Sequence, residues 1–248
     1  LPDLEKLIIN VVDSFKRNGK LFYIGSGSSG RLGVLDASEC PPTFGTDPDM
    51  VQGIIAGGPD AVFKSIEAAE DNSKNGAKII SDKGINELDV VVGISASGTT
   101  PYVLGALKQA KLSGAATALV QSNDLKEHEY IDYYINAIVG PELISGSTRM
   151  KAGTATKIIL NMISTISMIK INKTHGNIMT DLKVANDKLL NRGINIVSEI
   201  LYIDKSRAQE YLIKSNGSIK VAVIMYKCKL SFKEAKLILK QNNNSLRG

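Results

Sequence analysis

Hydrophobic positions along the chain fall into two rhythms. Residues 2–17 set Leu4, Leu7, Ile8, Val11, Val12 and Phe15 at helical spacing behind Pro2, which predicts an amphipathic helix ended by Asn18-Gly19. A short apolar run, Leu21 to Ile24, then stops in Gly25-Ser26-Gly27-Ser28-Ser29-Gly30. The order of run, break and helix recurs. Strands are predicted at 21–24, 51–56, 89–94, 115–120 and 134–139. Helices are predicted at about 29–38, 60–73, 101–112 and 149–170, the first of them closed by Cys40-Pro41-Pro42. The run Asp89 to Ile94, wholly apolar in its middle, suits a strand buried on both faces of a parallel sheet. Alternating strands and helices predict an α/β fold built on a doubly wound, mainly parallel five-stranded sheet.

Past residue 180 the strand rhythm ends. Helices are predicted at 181–201, 206–214, 218–228 and 231–241; Val221 to Ile224 has strand-like composition but helical neighbours. The expected organisation is a sheet domain over 1–203 and a small all-helical, UBA-like domain over 204–248. The tail Gln241 to Asn244 is expected to fray.

Composition narrows the class. Of 248 residues, 30 are Lys or Arg and 25 are Asp or Glu, a net charge of +5 spread without long blocks of one sign. Such a surface suits anionic small molecules. Five Phe and no Trp leave little for stacking nucleic-acid bases. Cys40 and Cys228 are far apart and outside any CxxC spacing, which argues against a disulfide framework or a zinc site and for reduced thiols in the cytoplasm. No apolar run approaches the roughly 18 residues of a membrane helix, and no basic-then-apolar leader is present. The chain begins at Leu1, inside a helical pattern and without Met, as a fragment of a longer protein would.

Three hydroxyl-rich loops fall at predicted carboxyl ends of strands, where doubly wound sheets bind ligands. Gly25 to Gly30 matches G-x-G-x-x-G, but a dinucleotide site wants an acidic residue at the end of the second strand. Asp47 and Asp49 precede that strand, which ends in Ala56-Gly57-Gly58. Ser26, Ser28 and Ser29 suit a sugar or phosphate better, since hydroxyls both donate and accept. Ser95, Ser97, Thr99 and Thr100 gather before a helix opened by Pro101, a cradle for a phosphate; helix capping alone needs one hydroxyl. The third loop, Ser145 to Arg149 with Lys151, reads equally as a capped helix start. Glu39, just past the first loop's helix, and Glu70, on the helix after the second strand, are candidate acid and base groups. His128, among Lys126, Glu127 and Glu129, reads as surface. His175 follows the long helix, which Gly176 is placed to end. No His, Cys and carboxylate cluster has metal-ligand spacing, so neither metal nor cofactor is expected.

The first two loops resemble those of the sugar isomerase (SIS) domain, a phosphosugar-binding module. Within that superfamily SGRLGVLDASECPPTFG (29–45) is similar to the signature of the N-acetylmuramic acid 6-phosphate etherase family. IIAGG (54–58), EAAED (67–71), SASGTTPYV (95–103), GPELISGSTRMKAGTATKIILNMIST (140–165) and HGNIM (175–179) extend the likeness in order over nearly the whole chain. The resemblance implies a carbon–oxygen lyase, acting without metal or nucleotide on a phosphorylated amino sugar in cell-wall amino-sugar catabolism and recycling. Its products would be N-acetylglucosamine 6-phosphate and D-lactate, formed by elimination and then hydration on the open-chain aldehyde. It assigns Glu39 protonation of the departing lactate and then deprotonation of water, and Glu70 the C2 proton. Ser26, Ser28, Ser29, Ser95, Ser97, Thr99 and Thr100 would hold sugar and phosphate. It further implies a cytoplasmic homodimer with no nucleic-acid or membrane partner, groups shared across the interface, and a segment ahead of Leu1. Thr99 stands where many members carry Arg, which leaves Arg149 or Lys151 to balance the phosphate, and Gln121 to Asp124 departs from the commonest version. Two other readings share the loops: a phosphosugar-sensing regulator without catalysis, and an aldose–ketose isomerase.

Overall fold

The computed structural model describes residues 2–124, 128–182 and 187–246. Lys126 and Glu127, named above beside His128, lie outside them. By contact the chain divides into two compact units, Leu1–Glu39 with Asp47–Ser167, and Cys40–Thr46 with Met168–Gly248.

The first unit is a five-stranded parallel sheet: β1 (Leu21–Gly25), β2 (Val51–Ile55), β3 (Val90–Ile94), β4 (Ala116–Gln121) and β5 (Tyr133–Asn136), in the order β2-β1-β3-β4-β5. Every residue of β1 and β3 is buried, as their unbroken apolar runs require. Phe22, Ile24, Val91 and Leu119 face α3 (Ser73–Asp82) and α4 (Pro101–Leu112). Two glycines bring these helices together. A Cβ on Gly76 would lie 2.0 Å from the Tyr102 carbonyl oxygen, and one on Gly105 would lie 2.2 Å from that of Ser73. The opposite sheet face meets α2 (Gly27–Phe44) and α5 (Lys151–Lys170). Tyr23 hydroxyl donates to the Leu160 carbonyl at 3.5 Å, and Gly33 faces Tyr23 and Ile94. The amphipathic helix α1 (Pro2–Lys16) buries Leu4, Leu7, Val11 and Phe15 and ties to the foot of β3, where Ser14 hydroxyl donates to the Leu88 carbonyl at 2.6 Å.

α2 and α5 are fixed to each other through a buried carboxyl. Asp36 accepts from Asn161 Nδ2 at 2.7 Å and from Ser164 Oγ at 3.1 Å, residues more than a hundred positions away. Burial pushes this carboxyl above its ordinary value of 3.8. The hydrogen bonds from Asn161, Ser164 and Tyr23 and the charge of Lys157 pull the other way without overcoming it.

Several boundaries differ from expectation. α2 does not close at Cys40-Pro41-Pro42 but runs through both prolines to Phe44. Proline's φ suits a helix; what it removes is a hydrogen bond to the preceding turn. Residues 60–73 are not one helix. They form two 3₁₀ turns, Pro59–Val62 and Ala69–Asp71, so Glu70 sits on a tight turn. The helix comes later, as α3, capped by Asn72, which accepts the Asn75 N–H at 2.9 Å. β5 stops at Asn136, three residues short of expectation. α5, contrary to the reading of the apolar runs, is long and apolar enough by length and composition to cross a membrane. Its Ser and Thr residues interrupt the run without making it polar, and half of it is buried inside the structure.

The second unit holds a two-stranded hairpin, β6 (Thr174–His175) and β7 (Ile178–Met179), and the helices α6 (Asp187–Leu201), α7 (Lys205–Lys214), α8 (Ile219–Cys228) and α9 (Phe232–Gln241). α5 ends at Lys170, beyond which Asn172 turns the chain at φ 63°. Gly176, at φ 60°, starts the hairpin turn instead of capping the helix. Val221, Ala222, Val223 and Ile224 are all buried in α8, which accounts for their strand-like composition. Lys220 is buried too: its ammonium meets Asp181 at 2.8 Å and donates to the Asn172 carbonyl at 2.6 Å, while burial depresses its pKa. Asp204, Ser218 and the Ser231–Glu234 capping box start α7, α8 and α9.

Gly76→Ala forces α3 off α4 and is expected to lower stability by about 1–3 kcal/mol in urea unfolding. Asp36, with its folded-state pKa raised, contributes stability that is full below pH 3.8 and is lost as pH rises through the folded value. Asp36→Asn should therefore gain on the wild type as pH goes from 4 to 7; a difference constant with pH would contradict this assignment.

Candidate active site

The strand order reverses between β1 and β3, the position at which doubly wound sheets bind their ligands. Gly25 and Ile94 are register partners, so Ser26 and Ser95 start neighbouring loops at the carboxyl edge. Only Ser26 is truly loop: α2 has already begun at Gly27. The turn is this tight because a Cβ on Gly25 would lie 2.6 Å from Gly30 N, and one on Gly30 would lie 2.8 Å from Gly25 O. Gly27, at φ 51°, has open space beside it. Ser28 and Ser29 thus sit in the first turn of a helix, whose N–H groups lack intrahelical partners and carry the positive dipole end.

The second loop is a knot of hydroxyls. Ser95 Oγ, buried, lies 2.8 Å from Thr100 Oγ1 and 3.3 Å from Ser97 Oγ, and accepts the Gly98 N–H at 3.1 Å. Thr99 donates to Ser97 Oγ through its hydroxyl at 3.0 Å and its N–H at 3.2 Å. Thr100 holds the N-cap position of α4, yet its side chain makes no capping bond. Helix capping therefore does not explain the four hydroxyls. Asn123, in the segment after β4, reaches toward the Ala96 and Ser97 carbonyls at 3.4 Å each.

The third loop stands apart, since it leaves β5 at the sheet edge, two strands from the crevice. Glu142 accepts the N–H groups of Lys151 and Ala152 at 3.0 and 2.9 Å, which holds its carboxyl below the ordinary range. The start of α5 is thereby occupied by a carboxylate of the chain itself. Arg149 and Lys151 are exposed.

A cavity of about 280 Å³ opens beside the first loop, on the β2 side. Ser26, Gly27, Arg31, Lys64, Glu67 and Glu70 line it. It brings Glu70 to the first loop. Neither Glu39 nor any residue of the Ser95 loop is in that lining. Glu39 is exposed, twelve positions beyond Gly27 on α2, about 18 Å along the helix axis. Within one chain the two glutamates are therefore not brought together at the first loop. Four larger hollows, of about 980 Å³ between β2 and α3, about 700 Å³ at the start of α5, about 640 Å³ beside α1 and about 390 Å³ between α1 and β5, contain none of the crevice hydroxyls.

Sequence reasoning passed over Arg31 and Lys64. A signal was available for the first: Arg31 is four residues after Gly27, one turn along the same helix face. Of the histidines, His128 is half-buried and stacks on Tyr130 at 5.0 Å between ring centroids, and His175 lies in β6 of the second unit. Among the described residues no group of three or more His, Cys, Asp or Glu gathers as metal ligands would. Cys40 is buried and Cys228 exposed, both as thiols.

Known proteins match both units. Residues 3–111 match the family model of the glucokinase regulatory protein N-terminal SIS domain, and residues 176–220 that of the C-terminal lid domain of the same protein. A solved phosphoheptose isomerase from Francisella tularensis shares the fold at a TM-score of 0.52 and 18% identity, covering 68% of this chain and 86% of that one. The N-acetylmuramic acid 6-phosphate etherase of Clostridium acetobutylicum is 48% identical over 96% of this chain and 80% of its own length. That of Pasteurella multocida is 47% identical over 98% and 81%. At this identity over nearly the full chain, with the SIS-type sheet and its two crevice loops in place, the chain belongs to the N-acetylmuramic acid 6-phosphate etherase family.

Proposed function

We propose that the chain is a carbon–oxygen lyase that releases D-lactate from N-acetylmuramic acid 6-phosphate and leaves N-acetylglucosamine 6-phosphate, as a cytoplasmic homodimer without nucleic-acid or membrane partners. The observation that carries the reading is the pair of hydroxyl loops at the strand-order reversal, with Glu70 beside the first of them. Ser28 and Ser29 at the start of α2, with Ser95, Ser97, Thr99 and Thr100, hold the phosphate through hydroxyl and backbone donors, and Ser26 turns toward the sugar.

Glu70 takes the C2 proton of the open-chain aldehyde. The C3–O bond breaks, its electron pair leaves with the lactate oxygen, and Glu39 supplies that oxygen's proton. Glu39, now a carboxylate, takes a proton from water as the water oxygen adds at C3, and C2 regains a proton. The net change is ether plus water to alcohol plus lactate.

The distance of Glu39 along α2 from the first loop, beside which Glu70 lies, supports a shared site, in which Glu39 of the partner subunit closes over the cavity beside Glu70. α2 and α5 lie side by side, and both leave apolar side chains exposed, Leu35 and Ile158, on surfaces suited to a second copy. Ile138, Leu143 and Ile144 are exposed nearby in sequence around the end of β5.

Glu39→Ala and Glu70→Ala should each abolish lactate release with the fold intact. Mixed and allowed to exchange subunits, the two inactive variants should recover up to about a quarter of wild-type activity, because each mixed dimer holds one site with both glutamates. No recovery, with mixed dimers demonstrated, would place both glutamates' action within one chain. A folded wild type that binds phosphosugar but releases no lactate would instead make the protein a sensor.

A further inference from the structure

The substrate class carries two anions, a phosphate on C6 and a lactyl carboxylate held through the ether at C3. The hydroxyl loops answer the first. We propose that Arg31 answers the second: its guanidinium is the receptor for the lactyl carboxylate and sets the enzyme's preference for a 3-O-carboxyalkyl sugar. This rests on the etherase reading above.

Arg31 is half-buried on the first turns of α2 and lines the cavity that contains Ser26 and Glu70. Its Nε donates to the Val62 carbonyl at 2.8 Å and its Nη2 to the Lys64 carbonyl at 3.1 Å. Those two bonds fix the plane of the guanidinium against the turn that follows β2. They use two of its five N–H donors. Among the described residues it has no carboxylate partner, although Glu67 and Glu70 line the same cavity. A guanidinium partly withdrawn from water, held in plane by neutral carbonyls and left with unused donors facing a polar cavity, is arranged for a planar anion. Lys64 adds a second positive charge at the rim, where it pairs with the exposed Asp60 at 3.3 Å.

Position separates the two anion sites. The Ser95 loop adjoins β1 on the β3 side, whereas the cavity of Arg31 lies on the β2 side. A sugar lying across the end of β1, with its phosphate toward β3, directs its C2–C3 end toward Glu70 and the lactyl group toward Arg31. Binding the carboxylate there also holds the leaving group against the carbon from which Glu70 takes the proton.

The test compares N-acetylmuramic acid 6-phosphate with its lactyl carboxamide, in wild type, Arg31→Met and Arg31→Lys. Wild type should prefer the acid by about 100-fold in kcat/KM, and both variants should reduce that preference to near unity. Taking the ratio cancels any loss from the two carbonyl bonds, which affects both substrates alike. Inhibition by N-acetylglucosamine 6-phosphate, which has no lactyl group, should be weakened far less than acid-substrate binding. A wild type indifferent to the amide, or variants that retain the full preference, would overturn the proposal. Equal weakening of acid-substrate and product binding would assign Arg31 to the phosphate instead. Calorimetric binding of the acid and the amide reads the same preference without turnover, so a protein that releases no lactate defeats the etherase reading separately from this one.

Discussion

The site depends on one close contact, the approach of Gly25 at the end of β1 to Gly30 in α2. With side chains there the helix would start farther from the sheet, and its first-turn N–H groups would no longer stand beside the loop after β3. Both glycines are needed for distance, since neither has a positive φ; only Gly27, between them, does. The contact places a helix dipole, three serines and the strand-order reversal at one point. The loop after β3 then has to supply only hydroxyls, and it does so without a single charged side chain.

α2 extends this constraint outward. Its first turn meets the crevice, its fourth residue beyond Gly27 brings Arg31 to the cavity, and its middle is locked to α5 by Asp36. Glu39 lies past that lock on the exposed side. A helix is a ruler, so residues nine apart in sequence, such as Gly30 and Glu39, are held roughly 14 Å apart along the axis. The distance that separates Glu39 from the first loop in one chain is what a second copy of the chain would have to bridge.

Much of this was readable from sequence because it is local. The parallel strands declared themselves through short unbroken apolar runs, and the helices of the second unit through the end of the strand rhythm past residue 180, although the predicted first residues Ser218 and Ser231 prove to be caps ahead of α8 and α9. The hydroxyl loops were legible because glycine and serine after a buried run have few other uses. What failed was non-local. The helical character assigned to 60–73 belonged to 73–82, where Gly76, a poor helix residue, is required by the close approach of α4. Pro41-Pro42 reads as a stop, yet the chain tolerates the lost hydrogen bonds and continues to Phe44. Arg31 gave only a weak signal, since an arginine on a helix is ordinarily solvated. Its role follows from a cavity made with residues 61–70, which no spacing rule links to it.

The loop after β3 has a further property as a receptor. Ser95, Ser97, Thr99 and Thr100 are hydrogen-bonded to one another through their hydroxyls. Each bond among them is set by the torsion of a hydroxyl hydrogen, a light rotor that turns without moving heavy atoms. When an anion arrives, the hydrogens can swing from neighbour to ligand while the oxygens stay in place. The loop can thus exchange hydrogen-bond partners through hydroxyl rotation alone, with its oxygens held in place by the tight turn before α4.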